Sequence, residues 1–292
     1  MKLLKWKKRI ALTLVFALLF PMFVFADAVP GDVVITLGEN LSETQKQSLL
    51  TEMGATEDDL VIYVTNAEEH QYLGNYISAA RIGTRALSSS KITMREAGAG
   101  LTVESKNIDW VADEMYANAL ITAGVEDADI YVTAPINVSG TAALTGLIKA
   151  YEIATEIEIP EEQKQIANEE MVRTGELSDS IGVEKATELM NRIKEEIANN
   201  PVETEDDLRE LIRRVAAELG ITLTDEELNG LVSLFMRMKD LNIDWNQVQD
   251  QISKVRDNLG DILNREDTQG LIKNFLDLIN RLIDSLRGLF SS

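Results

Sequence analysis

The chain has 292 residues, 49 of them acidic and 28 Lys or Arg, with one histidine, no cysteine and a formal net charge of −21 at pH 7. That balance argues against unspecific nucleic-acid binding and against adhesion to anionic lipid, while permitting divalent cations and basic partners. The missing cysteines exclude a disulfide, a lipid-anchoring cysteine and a thiolate metal site, and the lone His70 excludes a histidine-rich zinc site.

Lys2, Lys5, Lys7, Lys8 and Arg9 form a basic start, and Ile10–Phe20 is an apolar run of secretory length, too short to span a bilayer. Pro21 breaks it and Val24-Phe25-Ala26 offers a cleavage site, so residues 1–26 read as a secretory signal peptide with Asp27 or Val29 as the mature N-terminus. A retained anchor is the rival reading. Cleavage removes five positive charges and no negative one, taking the net charge from −21 to −26. No later run is apolar enough to span a membrane. The expected product is secreted or extracytoplasmic, with cell-wall association left open.

Asp32–Leu37 predicts a first strand, closed by Gly38. Ser42-Glu43-Thr44-Gln45 is a capping box opening a helix to Met53, which Gly54 stops. Ile62-Tyr63-Val64-Thr65 is the next strand and Ala67–Ser78 a short helical stretch. Ser90–Arg95 and Leu101–Ser105 alternate apolar and polar residues around Gly98-Ala99-Gly100, which predicts a hairpin. A helix over Ile108–Ala123 ends at Gly124 and leads into the strand Ile130-Tyr131-Val132-Thr133. Both Ile-Tyr-Val-Thr strands follow a helix, a glycine stop and an acidic turn, so one αβ unit is used twice. Ser139 is the expected N-cap of a helix over Thr141–Thr155.

Beyond Pro160 the pattern is helical and charged, with helices near 161–174, 183–199, 204–219, 225–239, 246–264 and 268–289. Gly220 and Gly260 read as stops or kinks. The fold class is therefore an α/β N-terminal domain over 29–157, with a small mixed sheet and an internal αβ duplication, followed by an all-α helical region over 160–292. The last helix, Leu271–Phe290, carries an apolar stripe that packing within the helical half or an oligomer contact would cover.

The motifs of residues 33–155 include Thr36-Leu37-Gly38, Leu41-Ser42-x-x-Gln45-Lys46, Tyr72-Leu73-Gly74, Gly98-x-Gly100-Leu101-x-Val103, Met115-Tyr116-Ala117-x-Ala119-Leu120, and Ala134-Pro135-x-x-Val138-Ser139-Gly140-Thr141. In this order they resemble the YpuA-like family of secreted proteins of Gram-positive bacteria, a domain of unknown function. The resemblance implies export and an envelope or extracellular setting. It brings no activity, substrate or catalytic residue.

Val138-Ser139-Gly140-Thr141 is the most site-like stretch, because a strand end, small residues and a helix start can together hold an anion. Thr65 and Asn66 end the other copy of the strand. From His70 to Arg95 there is no acid, yet Arg81, Arg85, Lys91 and Arg95 fall in that window. The favoured reading is that most of these cations staple the first half to acids beyond Pro160; the other is a cationic surface for an anionic ligand such as a wall polymer. The candidate ligand residues are thus Thr65, Asn66, Ser139, Gly140, Thr141, Arg81 and Arg85.

A Ser-His-Asp triad would need His70, and no Gly-x-Ser-x-Gly elbow exists. The acidic turns Glu57-Asp58-Asp59 and Glu126-Asp127-x-Asp129 lack the spacing of an EF-hand loop and read as solvated acids. No catalytic residue, metal ligand or cofactor is assigned. The expected function is a non-catalytic binding or interaction module of the bacterial cell envelope or extracellular space, with an unknown envelope polymer or protein as partner. The alternative is a hydrolase acting on an envelope polymer through paired carboxylates, which needs two acids about 5–10 Å apart in one pocket.

Overall fold

The structure is a computed structural model and describes residues 29–241 and 243–264; the expected signal peptide and the expected last helix fall outside the described residues. Five strands form one mixed sheet: β1 (Val33–Gly38), β2 (Leu60–Val64), β3 (Ser89–Met94), β4 (Leu101–Ile108) and β5 (Ala128–Val138), in the order β2-β1-β3-β5-β4. β1 and β2 run parallel across helix α1 (Glu43–Glu52), whose Ser42–Gln45 capping box is formed as expected. β4 and β5 run parallel across α4 (Asp113–Ala123), which Gly124 ends in the left-handed conformation at φ 84°. β3 lies between the two pairs, antiparallel to both β1 and β5.

The expected hairpin of Ser90–Arg95 with Leu101–Ser105 is not formed, because β5 lies between them. Lys91 faces Tyr131 and Val103 faces Ile130. Ala128, Ile130, Val132 and Ala134 are all buried, which suits a central strand; Thr102, Glu104 and Lys106 suit an edge. The Gly98-Ala99-Gly100 turn is tied to the start of β5 instead: the Asp127 carboxylate accepts the Gly98 N–H at 2.9 Å and the Gly100 N–H at 2.7 Å. The helix expected from Ile108 starts only at Asp113. β4 runs on to Ile108, with its register shifted at Asn107, where φ is 58°.

Between the strands run α2 (Asn66–Leu73) and the single turn α3 (Ala79–Ile82), where one stretch over Ala67–Ser78 was expected. α5 (Thr141–Thr155) follows β5. α4 and α5 cover the sheet face that carries Val34, Ile92, Ile130 and Val132. α1 covers the other face with Leu49 and Met53 against Ile35, Leu37 and Tyr131. The helices of the two echoed units therefore pack on opposite faces of one sheet.

Beyond Pro160 run α6 (Glu161–Ile181), α7 (Val183–Asn199), α8 (Glu205–Glu218), α9 (Asp225–Asp240) and α10 (Trp245–Asn264). Gly220 terminates its helix with φ 65°, whereas α10 continues through Gly260. α6 to α9 enclose a core of their own around Ile193, Ile212 and Phe235. The largest core does not stop at Pro160: Met171 and Val172 of α6 and Val248 and Ile252 of α10 belong to it together with the sheet. A buried ion pair of the helical half also reaches a helix of the first half. Lys194 of α7 lies 2.5 Å from Glu170 of α6, both side chains fully buried, and donates to the Asn118 carbonyl of α4 at 3.0 Å. Among the described residues, no helix is long and apolar enough to cross a membrane.

Candidate functional site

β1, β2 and β5 point the same way, so Gly38, Val64 and Val138 end at one edge of the sheet, beside the start of β3. Open α/β sheets bind ligands beyond such strand ends. A cavity of about 310 Å³ opens there, lined by Glu69, Arg81, Arg85, Ser88, Ser139, Gly140 and Thr141 among others. Five of the seven expected ligand residues meet in it, from segments more than fifty positions apart.

Gly140 shapes the floor. It is the N-cap of α5 with φ 92°, a left-handed conformation that favours glycine. Tyr116, fully buried on α4, donates its hydroxyl proton to the Gly140 carbonyl at 2.6 Å. A Cβ on Gly140 would overlap the Tyr116 hydroxyl and the Ile108 side chain. Ser139 is therefore not the cap that was expected: its Oγ lies 3.1 Å from Thr141 Oγ1, and no side chain caps α5. The Ala143 N–H turns back to the Gly140 carbonyl at 3.2 Å, and no side chain caps the Thr141 or Ala142 N–H, which leaves these two for a ligand.

Glu69 of α2 is the buried acid of the cavity, 1 % exposed. Its carboxyl accepts from the Thr141 hydroxyl and from Asn66 Nδ2, the latter at 3.0 Å. Burial pushes its pKa up, and the two hydrogen bonds offset this only in part. Asn66 thus acts through Glu69 rather than on the cavity wall. Thr65 caps α2, accepting from the Glu68 N–H at 3.0 Å, and does not line this cavity. His70 lies beside the loop, with Nε2 3.0 Å from the Gly83 carbonyl oxygen.

The expectation that most of the four cations staple the halves together does not hold. Only Arg81 reaches beyond Pro160, meeting Asp179 of α6 at 3.0 Å while stacking on the Trp110 ring at 4.8 Å. Arg95 pairs with Asp129 at 3.2 Å and Lys91 donates to the Met53 carbonyl at 2.8 Å, both within the first half. The reason is strand alternation: Lys91 and Arg95 project from the sheet face that α1 covers, whereas α6 and α10 pack on the opposite side. Arg85 is exposed and makes no ion pair with a described residue.

The acidic turns are occupied structurally, Asp59 by the Thr56 N–H at 2.8 Å and Asp127 by the two glycines. Among the described residues, no group of three or more His, Asp or Glu is arranged to hold a metal. The cavity lining supplies a single acid, Glu69, rather than a facing pair. Glu69 and Ser88 were not anticipated from the sequence. The signal available for Glu69 was its place four residues before Leu73, the other buried residue of α2.

Residues 37–255 match the family described as "Protein of unknown function (DUF1002)". A protein of Bacillus subtilis (strain 168), described as "Uncharacterized protein YpuA", is 48% identical over 277 residues, covering 94% of this chain and 96% of that one. No solved structure matches the chain.

Proposed function

The chain belongs to the DUF1002 family, and from that premise we propose that it is an exported, non-catalytic binding module of the cell envelope that holds an anionic group at the strand-end cavity. The observation that carries this reading is the meeting of Arg81 and Arg85 with the Ser139-Gly140-Thr141 turn around one opening of about 310 Å³. Guanidinium forks and uncapped helix N–H groups are complementary to phosphate or carboxylate. Export is supported by the basic start and apolar run of residues 1–26. A single acid in the lining favours binding over hydrolysis by a carboxylate pair.

Arg85 is the clean probe, because Arg81 also holds Asp179 and Trp110. The mature protein should bind an anionic wall polymer such as poly(glycerol phosphate), with affinity falling as salt rises. Arg85→Ala should weaken that binding about tenfold, the loss of one charge-assisted contact, and leave the melting temperature unchanged. Equal affinity of Arg85→Ala and wild type would refute the reading.

A further inference from the structure

A second, separate cavity of about 200 Å³ lies where α2, α5 and α6 meet. We propose that it is a binding site for a small zwitterion of the α-amino-acid class. It does not depend on the anion site, and none of its lining residues is shared with that site.

Two buried polar atoms bear on its contents. Thr145 of α5 and Asn168 of α6 line the cavity and are 5 % and 0 % exposed. Neither Thr145 Oγ1 nor Asn168 Oδ1 has a hydrogen-bond partner among the described residues. A buried polar atom left unpaired is costly, and such atoms in folded proteins are nearly always satisfied. The Asn168 amide is oriented by its own Nδ2, which donates to the Lys164 carbonyl at 2.8 Å. That leaves Oδ1 as a pure acceptor calling for an N–H or O–H donor. The Thr145 hydroxyl can donate to a carboxylate.

The charges around the cavity choose between ligand classes. Lys149 pairs with Glu68 at 2.8 Å and Lys164 with Glu152 at 3.1 Å. Two cations and two acids cancel, so a ligand of either net charge meets as much repulsion as attraction. A ligand with separated plus and minus groups can use both signs. Lys149 has spent two of its three ammonium protons, on Glu68 and on the Tyr63 carbonyl, and keeps one to donate. Ile148, 2 % exposed, gives an apolar contact for a short side chain. The volume equals that of roughly six or seven waters, which admits a small amino acid and excludes a disaccharide.

The probes are D-alanine and L-alanine, titrated at millimolar concentration into the full mature chain and followed by NMR and thermal shift. At least one enantiomer should bind and raise the melting temperature, while neutral N-acetylalanine amide should not. Thr145→Val removes the orphan hydroxyl at constant shape; it should keep or raise the stability of the unliganded protein and weaken alanine binding at least tenfold. Asn168→Leu should weaken it similarly, with circular dichroism confirming that the variant is folded. If neither enantiomer binds, the cavity holds water alone and the proposal fails. It fails equally if Thr145→Val binds alanine as wild type does, or if N-acetylglucosamine or the neutral amide binds as tightly.

Discussion

Glu69 and Gly140 show how much of the site rests on single residues. Burial holds the Glu69 carboxyl above its ordinary value of 4.5. Well below that value the group is protonated in folded and unfolded chains alike. As pH rises the unfolded chain ionises first, and the folded state loses stability until pH passes the raised folded pKa. Glu69→Gln removes this loss. The melting temperature of Glu69→Gln relative to wild type should therefore improve as pH rises above about 4 and level off once the folded carboxyl ionises; a constant difference across the whole range would count against a buried, raised carboxyl. Gly140→Ala should cost about 3 kcal/mol, from strain at positive φ added to the overlap with Tyr116 and Ile108. Denaturant midpoints would measure it. Gly140 was legible in the sequence because a strand end followed by Ser-Gly-Thr is a local signal. Glu69 was not, because an acid in a short polar helix looks like a solvated face until Thr141, 72 positions away, closes over it.

Among the elements, helices with local caps were read well and strand partners were not. The Ser42 box is formed where the sequence placed it, since a cap involves neighbours only a few residues apart. The β3–β4 hairpin was misread because a short loop suggests adjacency, while β5, with Ala128, Ile130, Val132 and Ala134 buried, takes the central place between the two strands. Lys194 was equally hidden: it sits on α7 beside Met190 and Ile193, and only the arrival of Glu170 from α6 makes its burial tolerable. Desolvation lowers the pKa of its ammonium, with Glu170 opposing. Lys194→Met alone strands the Glu170 carboxylate, which also accepts from the Thr122 hydroxyl at 2.5 Å. It should cost about 3–5 kcal/mol. Lys194→Met combined with Glu170→Met should recover most of that loss in a urea titration. A double variant as unstable as the single one would mean that the pair contributes more than its desolvation costs.

For the whole molecule, the change of composition at Pro160 does not mark the edge of the main core. Met171, Val172, Val248 and Ile252 complete the apolar layer on the sheet. The Arg81–Asp179 ion pair and the hydrogen bond from Lys194 to the Asn118 carbonyl also cross between the halves. The mature chain is therefore expected to unfold in one cooperative transition. A fragment spanning 29–159 should bind a hydrophobic dye and lack a sharp melting transition, because the layer formed by α6 and α10 is missing. Two well-separated calorimetric transitions in the intact protein would contradict this. The sequence could show where helices replace strands; it could not show that the first helix after Pro160 packs back on the helices that cover the sheet.

Arg81, in the wall of the strand-end cavity, lies over the Trp110 ring at 4.8 Å, and Gly175 lies so close to the same indole that a Cβ there would overlap it. The chain's three tryptophans are Trp6, Trp110 and Trp245, and the first belongs to the segment expected to be cleaved. The mature protein thus carries an optical reporter at its cavity. In a Trp245→Phe background, any ligand that draws the guanidinium off the indole changes the emission of a single fluorophore, so occupancy can be followed in real time without a label.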